Sequence, residues 1–444
     1  MGVRPDCTSG ALVDHTRAVI ASLPGSFSCG SEFMAEHEVL ARDAPAVAQA
    51  VSDFYERHPY PPPVDDLDHY RRKWTDERRR ADVCLLWPAQ PYRDDRSILV
   101  AGCGTSQAAK VALRWPRAQV TGIDVSATSI EETERLKRKH GIENLELRQL
   151  PLERATELER TFEHVICTGV LHHLPDPDQG LRALRDVLTS DGAMHVMVYA
   201  PYGRAGVYLL QDYCRRLGIG TTAAEIRELA ASLQALPPDH PLVPLLSKAP
   251  DFRDEAGIAD ALLHPQDRAY SVPQFIALLD AAGLELGRWV RQAAYLPQCG
   301  ALASSPHQPL LLRLPIEEQY AAVELFRGTM VRHSAVVYRR DRPNHPAVSF
   351  EGDAWTGHVP VRLPDTVVVQ DRLPPGAVAV VLNKSHGYTD IYLPVNAQQK
   401  KLFDAIDGKR TIAEIASHAA QRDAARVLFE GLWWYDQVVF DASH

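Results

Sequence analysis

Between residues 97 and 200 apolar runs alternate with helical pieces, and this alternation constrains the fold more than any other feature of the chain. "SILVA", "AQVTGIDV", "LELRQL", "FEHVICTGV" and "AMHVMVYA" read as buried strands. "SQAAKVALRW", stopped by Pro116, and "QGLRALRDVL" read as helices between them. A further helix follows the second strand, with a Ser129–Glu132 capping box at its start and Gly141 at its end. Apolar strands separated by helices predict a parallel sheet covered on both faces. Right-handed crossovers of this length wind such a sheet in both directions from its middle, and ligands then bind at the carboxyl ends of the strands.

The turn after the first strand, "GCGTSQ", narrows the ligand. A dinucleotide loop needs glycines at 102, 104 and 107, and position 107 is Gln107; the Gly-Lys-Ser/Thr of a phosphate loop is absent. A Gly-x-Gly turn before a helix is expected to set backbone N–H groups beside a ligand. Asp124 closes the second strand, where a carboxylate can accept both hydroxyls of a ribose lacking a 2′-phosphate.

In this order and spacing, "ILVAGCGTSQAA", "VTGIDVS", "LRQLPLE" and "FEHVICTGVLHHLPDPDQGLRALRDVLTSDGAMHVMVY" resemble the motifs of class I S-adenosylmethionine-dependent methyltransferases. The resemblance extends more weakly to about residue 340; "LLHPQDRAYSVPQFIALLDAAGLELGRW" and "FYERHPYPPP" are similar to segments of bacterial methyltransferases of unsettled substrate. It implies S-adenosylmethionine as cofactor and S-adenosylhomocysteine as product. By position, Gly102, Cys103, Gly104 and Thr105 would pass under the methionine part, Asp124 would hold the ribose and Val125 would lie against the adenine. Gln149 and Leu150 would sit at the adenine edge, and Thr168 and Gly169 would face the sulfonium and the acceptor.

Two positions depart from the family pattern. Val100 stands where an acidic residue usually anchors the methionine ammonium, and Ser106 replaces the third glycine, where it can cap the next helix. Tyr60, in the stiff "HPYPPP" segment, is the expected replacement for the lost carboxylate. His172 and His173 follow the fourth strand as candidate catalytic bases, since an imidazole titrates near working pH. Tyr55, Arg268 and Tyr270 are candidate substrate contacts, set against a plain salt bridge from Arg268 to Asp267. No metal is expected: Asp176 and Asp178 have poor ligand spacing, and methyl transfer requires none.

The rest of the chain divides by texture. Residues 1–96 read as a helical cap, from Asp43 and Pro45 onward, with a proline-rich flap; residues 97–340 form the catalytic domain, with a helical lid inserted at 201–270. The helix "SVPQFIALLDAAG", with a Ser271–Gln274 capping box, and the strands "LELGRWVR" and "HSAVVYRR" complete the sheet. Residues 341–444 read as an accessory α+β domain, strands followed by a winged-helix-like module with a Thr411–Glu414 capping box. The expected fold is therefore α/β, a doubly wound Rossmann-like methyltransferase sheet with a helical lid and a small C-terminal α+β domain.

Charge and cysteines bound the partners. A net charge of −9, and six lysines and arginines against seven acidic residues over 396–444, make a poor phosphate partner, so no nucleic acid is expected. Cys7, Cys29, Cys84, Cys103, Cys167, Cys214 and Cys299 are scattered and odd in number, which fits a reducing compartment. With neither a secretory signal nor a membrane span in view, the expected location is the cytoplasm. The expected activity is methyl transfer to an O or N nucleophile of a small-molecule or peptide acceptor, the peptide held by the C-terminal module, in a monomer or homodimer. The alternatives are a non-catalytic cofactor-binding interaction protein and a transcriptional regulator using that module.

Overall fold

The computed structural model describes residues 44–248, 252–342, 348–417 and 422–443. Cys7, Cys29 and the Asp43 cap lie outside them. Seven strands make one sheet: β1 (Ser97–Ala101), β2 (Gln119–Asp124), β3 (Leu145–Gln149), β4 (Phe162–Thr168), β5 (Leu188–Tyr199), β6 (Leu284–Trp289) and β7 (Arg332–Arg339). Their order is β3-β2-β1-β4-β5-β7-β6. The first five run parallel, while β7 inserts antiparallel between β5 and β6.

Burial along β1 explains why its sequence is apolar at every inner position. Ile98 and Val100 pack in the core on one face, Leu99 and Ala101 in the core on the other. Successive side chains of a strand point to opposite faces, so a sheet covered twice requires apolar residues at both parities. The strand order reverses between β1 and β4, which opens a crevice at their carboxyl ends.

Helix ends follow the sequence closely, with one correction. Gly141 is left-handed, and the Ser271–Gln274 and Thr411–Glu414 capping boxes form. The helix after β2, however, begins one turn before the Ser129–Glu132 box. Ser126 is its N-cap and accepts from the Ser129 N–H at 3.1 Å, leaving Glu132 to pair with Arg135.

Four helices among the described residues of 201–270 fall where the lid is expected: Ala205–Leu217, Ala223–Leu233, Val243–Lys248 and Glu255–Leu263. Val207, Leu210, Ile226, Leu229 and Leu262 form its core, and Phe54 joins them from α1 (Ala44–Arg57). The helix before the proline-rich flap thus shares the lid's core.

In the C-terminal segment β8 (Val359–Arg362) pairs with β12 (Val438–Asp441). A three-stranded sheet holds β9 (Thr366–Val369), β10 (Ala379–Asn383) and β11 (Leu393–Val395). Three helices over 397–434 close a core around Phe403, Phe429 and Phe440. Trp433 packs on that core, whereas Trp434 and Tyr435 pack on the core of the main sheet. Asp436, fully buried, pairs with Arg288 at 2.9 Å and accepts from the Ala293 N–H at 3.0 Å. No helix among the described residues is long and apolar enough to cross a membrane, and their five cysteines are free and buried.

Candidate functional site

The glycines of the β1 turn are required by their backbone. Gly102 and Gly104 have φ of 68° and 51°, the left-handed region. A Cβ on Gly102 would stand 2.3 Å from Val170, and one on Gly104 would stand 3.0 Å from the carbonyl oxygen of Tyr60. The N–H groups of this turn do not face outward as expected. Gly102 and Cys103 both donate to the Ile123 carbonyl at 2.9 Å, and Gly104 donates to Asp124 at 2.8 Å. The turn is stitched to the end of β2, which supplies the acceptors for all three N–H groups.

Asp124 is the polar centre of this crevice. Besides Gly104 it accepts from the Ser126 N–H at 3.0 Å. Burial raises its carboxyl above the ordinary value, and the hydrogen bonds from Ser126 and Gly104 partly offset that. A carboxylate has about four lone-pair sites. Two backbone donors leave room for a pair of vicinal hydroxyls, so the residue fits a ribose.

The neighbours fall out unevenly. Leu150 N–H donates to the Asp124 carbonyl at 2.9 Å, and Gln149 Nε2 donates to the Val125 carbonyl at 3.1 Å, gathering Val125, Gln149 and Leu150 beside Asp124. The Cys103 side chain turns inward beneath Gly122, where burial raises its thiol well above normal, so only its backbone borders the crevice. Thr105 is buried and donates through Oγ1 to the Pro61 carbonyl at 2.7 Å, which commits it to the flap. Ser106 occupies the N-cap position of the helix Gln107–Arg114 without capping it, because its hydroxyl instead accepts from Lys110 Nζ at 3.0 Å. Val100 is fully buried in the core. Gln107, which had no assigned role, donates to Thr168 Oγ1 at 2.7 Å and ties the β1 turn to the end of β4. Gly169 follows with φ of 82°.

The segment 55–61 lies across this crevice. Glu56 accepts from the Ala127 N–H at 2.5 Å and the Thr128 N–H at 3.2 Å, capping the helix after β2 from another element. Burial would raise its carboxyl, but the Thr128 hydroxyl and those two N–H groups outweigh burial and hold it below the ordinary value. The Tyr60 carbonyl lies against Gly104. Tyr55, one residue before Glu56, donates from its hydroxyl to Asp260 of the lid at 3.1 Å. Burial, then the charge of Asp260 and more weakly that of Asp124, raises the Tyr55 hydroxyl well above its usual range.

Beyond Tyr55 stands a group of titratable side chains that sequence spacing did not foretell. A ring nitrogen of His173, one of His264 and a carboxylate oxygen of Asp260 lie within 4.8 Å of one another, all enclosed. His173 and His264 overlap with ring centroids 3.9 Å apart, and the Tyr55 ring meets His173 edge-on at 6.2 Å. His172 is fully buried against Tyr199, at 3.9 Å, and neither of its ring nitrogens has a hydrogen-bond partner within the protein. Burial, and then the charges of His173 and Arg204, push His172 well below the usual histidine value; it stays neutral and is a poor proton acceptor. The two histidines of the motif are therefore not equivalent.

Arg268 and Tyr270 are not brought into this group. Arg268 N–H donates to the His172 carbonyl at 3.0 Å, while Tyr270 is buried in the main core. The expected Arg268–Asp267 bridge is replaced by Arg204, which reaches Asp267 at 3.2 Å and lies over the Tyr199 ring at 3.6 Å. Asp176 caps the next helix, accepting from the Gln179 N–H at 2.8 Å.

Residues 99–194 match the family model described as "Methyltransferase domain". An uncharacterised protein of Synechococcus is 32% identical over 249 residues, covering 54% of this chain and 59% of its own. A ubiquinone biosynthesis O-methyltransferase of Pseudomonas fluorescens is 31% identical over 122 residues, covering 27% of this chain and 47% of its own. The chain thus spans about half the length of these relatives. The structure of PKMT2 from Rickettsia typhi in complex with AdoHcy superposes with a TM-score of 0.60 at 16% identity, over 86% of this chain and 77% of that one. The likeness in fold therefore runs well beyond the family match.

Proposed function

From the match of residues 99–194 to the methyltransferase domain model and the likeness in fold, we propose that the chain transfers a methyl group from S-adenosylmethionine to an O or N nucleophile. When bound, the cofactor supplies a methyl carbon made electrophilic by its sulfonium. Asp124 carries the reading: it is a buried carboxylate at the end of β2, with lone pairs to spare, above two glycines that admit no Cβ. Asp124 would hold the ribose hydroxyls, and Val125, Gln149 and Leu150 would border the adenine. The backbone of Gly102, Cys103 and Gly104 would lie under the methionine end, covered by Tyr60. Thr168 and Gly169 would face the acceptor.

The protein's remaining work is alignment and exclusion of water. Tyr55, the lid and the flap supply the cover, and His173 stands where an acceptor proton would leave. The acceptor is a small molecule or a peptide, and residues 341–444 are an accessory domain in this reading.

Calorimetry with S-adenosylhomocysteine tests it. The wild type should bind stoichiometrically, and Asp124→Asn should bind roughly 10- to 100-fold more weakly, the worth of one or two hydrogen bonds to a charged acceptor. A wild type that binds neither S-adenosylmethionine nor S-adenosylhomocysteine would sink the proposal.

A further inference from the structure

The peptide unit around Gln266 addresses both histidines of the buried group, and it does so in opposite senses. The Gln266 carbonyl lies 2.7 Å from Nδ1 of His173. A carbonyl only accepts, so His173 Nδ1 carries the proton and its Nε2 carries the lone pair. The Gln266 N–H lies 3.0 Å from Nδ1 of His264. An N–H only donates, so His264 Nδ1 is the acceptor and its Nε2 bears the proton. That Nε2 is buried and has no partner within the protein.

This arrangement separates two chemistries that the same three residues suggest. Two histidines and an aspartate within 4.8 Å have the make-up of a metal cage. A metal-bound histidine usually donates its other ring N–H to a carbonyl or carboxylate. His173 satisfies that pattern and His264 contradicts it, since its Nε2 already holds a hydrogen. The spacing is that of a ligand set, but the hydrogen bonds are those of a proton-transfer site.

We propose that His173 Nε2 is the proton acceptor for the methyl acceptor, fixed in that tautomer by Gln266, with Asp260 and His264 as positioning residues. The inference rests on the methyltransferase reading above. The proton leaves the acceptor's O–H or N–H, the bonding pair stays on the acceptor, and the proton joins the lone pair of His173 Nε2. The resulting imidazolium faces the Asp260 carboxylate, which Tyr55 holds at 3.1 Å. The groups surrounding His173 are His172, Tyr199, Tyr55, Asp260 and His264, with Arg204 paired to Asp267 behind them. Arg204, whose charge acts on both His172 and Asp260, is paired with Asp267. The site therefore suits an acceptor that arrives neutral or positively charged and repels one carrying a carboxylate beside its nucleophile.

The test uses the full chain labelled with 15N-histidine, with signals assigned by comparison with His173→Gln and His264→Gln. At neutral pH His173 should show the Nδ1–H tautomer and His264 the Nε2–H tautomer; an Nε2–H tautomer at His173 overturns the proposal. Titration with zinc chloride should show no stoichiometric binding at micromolar metal, and tight binding lost in His173→Gln overturns it in favour of a metal cage. Transfer of tritiated methyl from S-adenosylmethionine into bacterial extract should fall ~100-fold or more in His173→Gln, the usual worth of a general base, with S-adenosylhomocysteine affinity kept within about threefold. A retained rate overturns the proposal, whereas loss of cofactor binding by the wild type would overturn the methyltransferase reading instead.

Discussion

Asp260 shows how a single residue couples the site to pH. Burial pushes its carboxyl up to about 6, against an ordinary 3.8, although the neighbouring His173 ring and the Tyr55 hydroxyl pull the other way. The folded state thus keeps a proton that the unfolded chain releases, so stability falls as pH rises from about 4 to about 6 and levels off above. The whole effect is on the order of 3 kcal/mol. Asp260→Asn should therefore gain thermal stability relative to wild type as pH climbs through that window, with no gap near pH 4. A gap in melting temperature that stays constant from pH 4 to 8 would contradict this. The place of Asp124 at the end of β2 was legible because local spacing fixes it. Asp260 and His264 were not, because they lie some ninety residues beyond His173 and meet it only when the lid folds back. For the same reason Asp267 could not be matched to Arg204 ahead of its nearer neighbour Arg268.

At the scale of elements, strands and caps were read well where the signal is local, and misplaced where a partner comes from elsewhere. Ser126 is the N-cap in place of Ser129 because Asp124 fixes the Ser126 backbone and Glu56 arrives to take the next two N–H groups. The last strand entered the sheet between two others, which alternation along the chain does not specify. Glu56 is worth testing as an imported cap. Glu56→Ala should cost about 1–2 kcal/mol, since it removes a charged cap at a helix N-terminus. Calorimetric melting should register the loss, and Asp53→Ala, an exposed change on the same helix, should leave it nearly unmoved.

For the molecule as a whole, the C-terminal segment is seated on the main sheet through buried polar contacts as well as apolar ones. Asp436 has no exposed side-chain surface and pairs with Arg288. Asp436→Ala should lower stability by about 3–5 kcal/mol, the cost of stranding a buried charge, seen as a shift in the denaturant midpoint; a surface-like loss below ~1 kcal/mol would show that the two parts are only loosely joined. The sequence texture gave no sign of how firmly this segment is seated, because Arg288 and Asp436 are far apart in sequence. A different consequence follows from the neighbouring residues Tyr55 and Glu56, which grip the lid and the helix after β2 from one turn of α1. In the function proposed above, donor and acceptor would then share a single gate, and both would enter and leave on the release of one helix end.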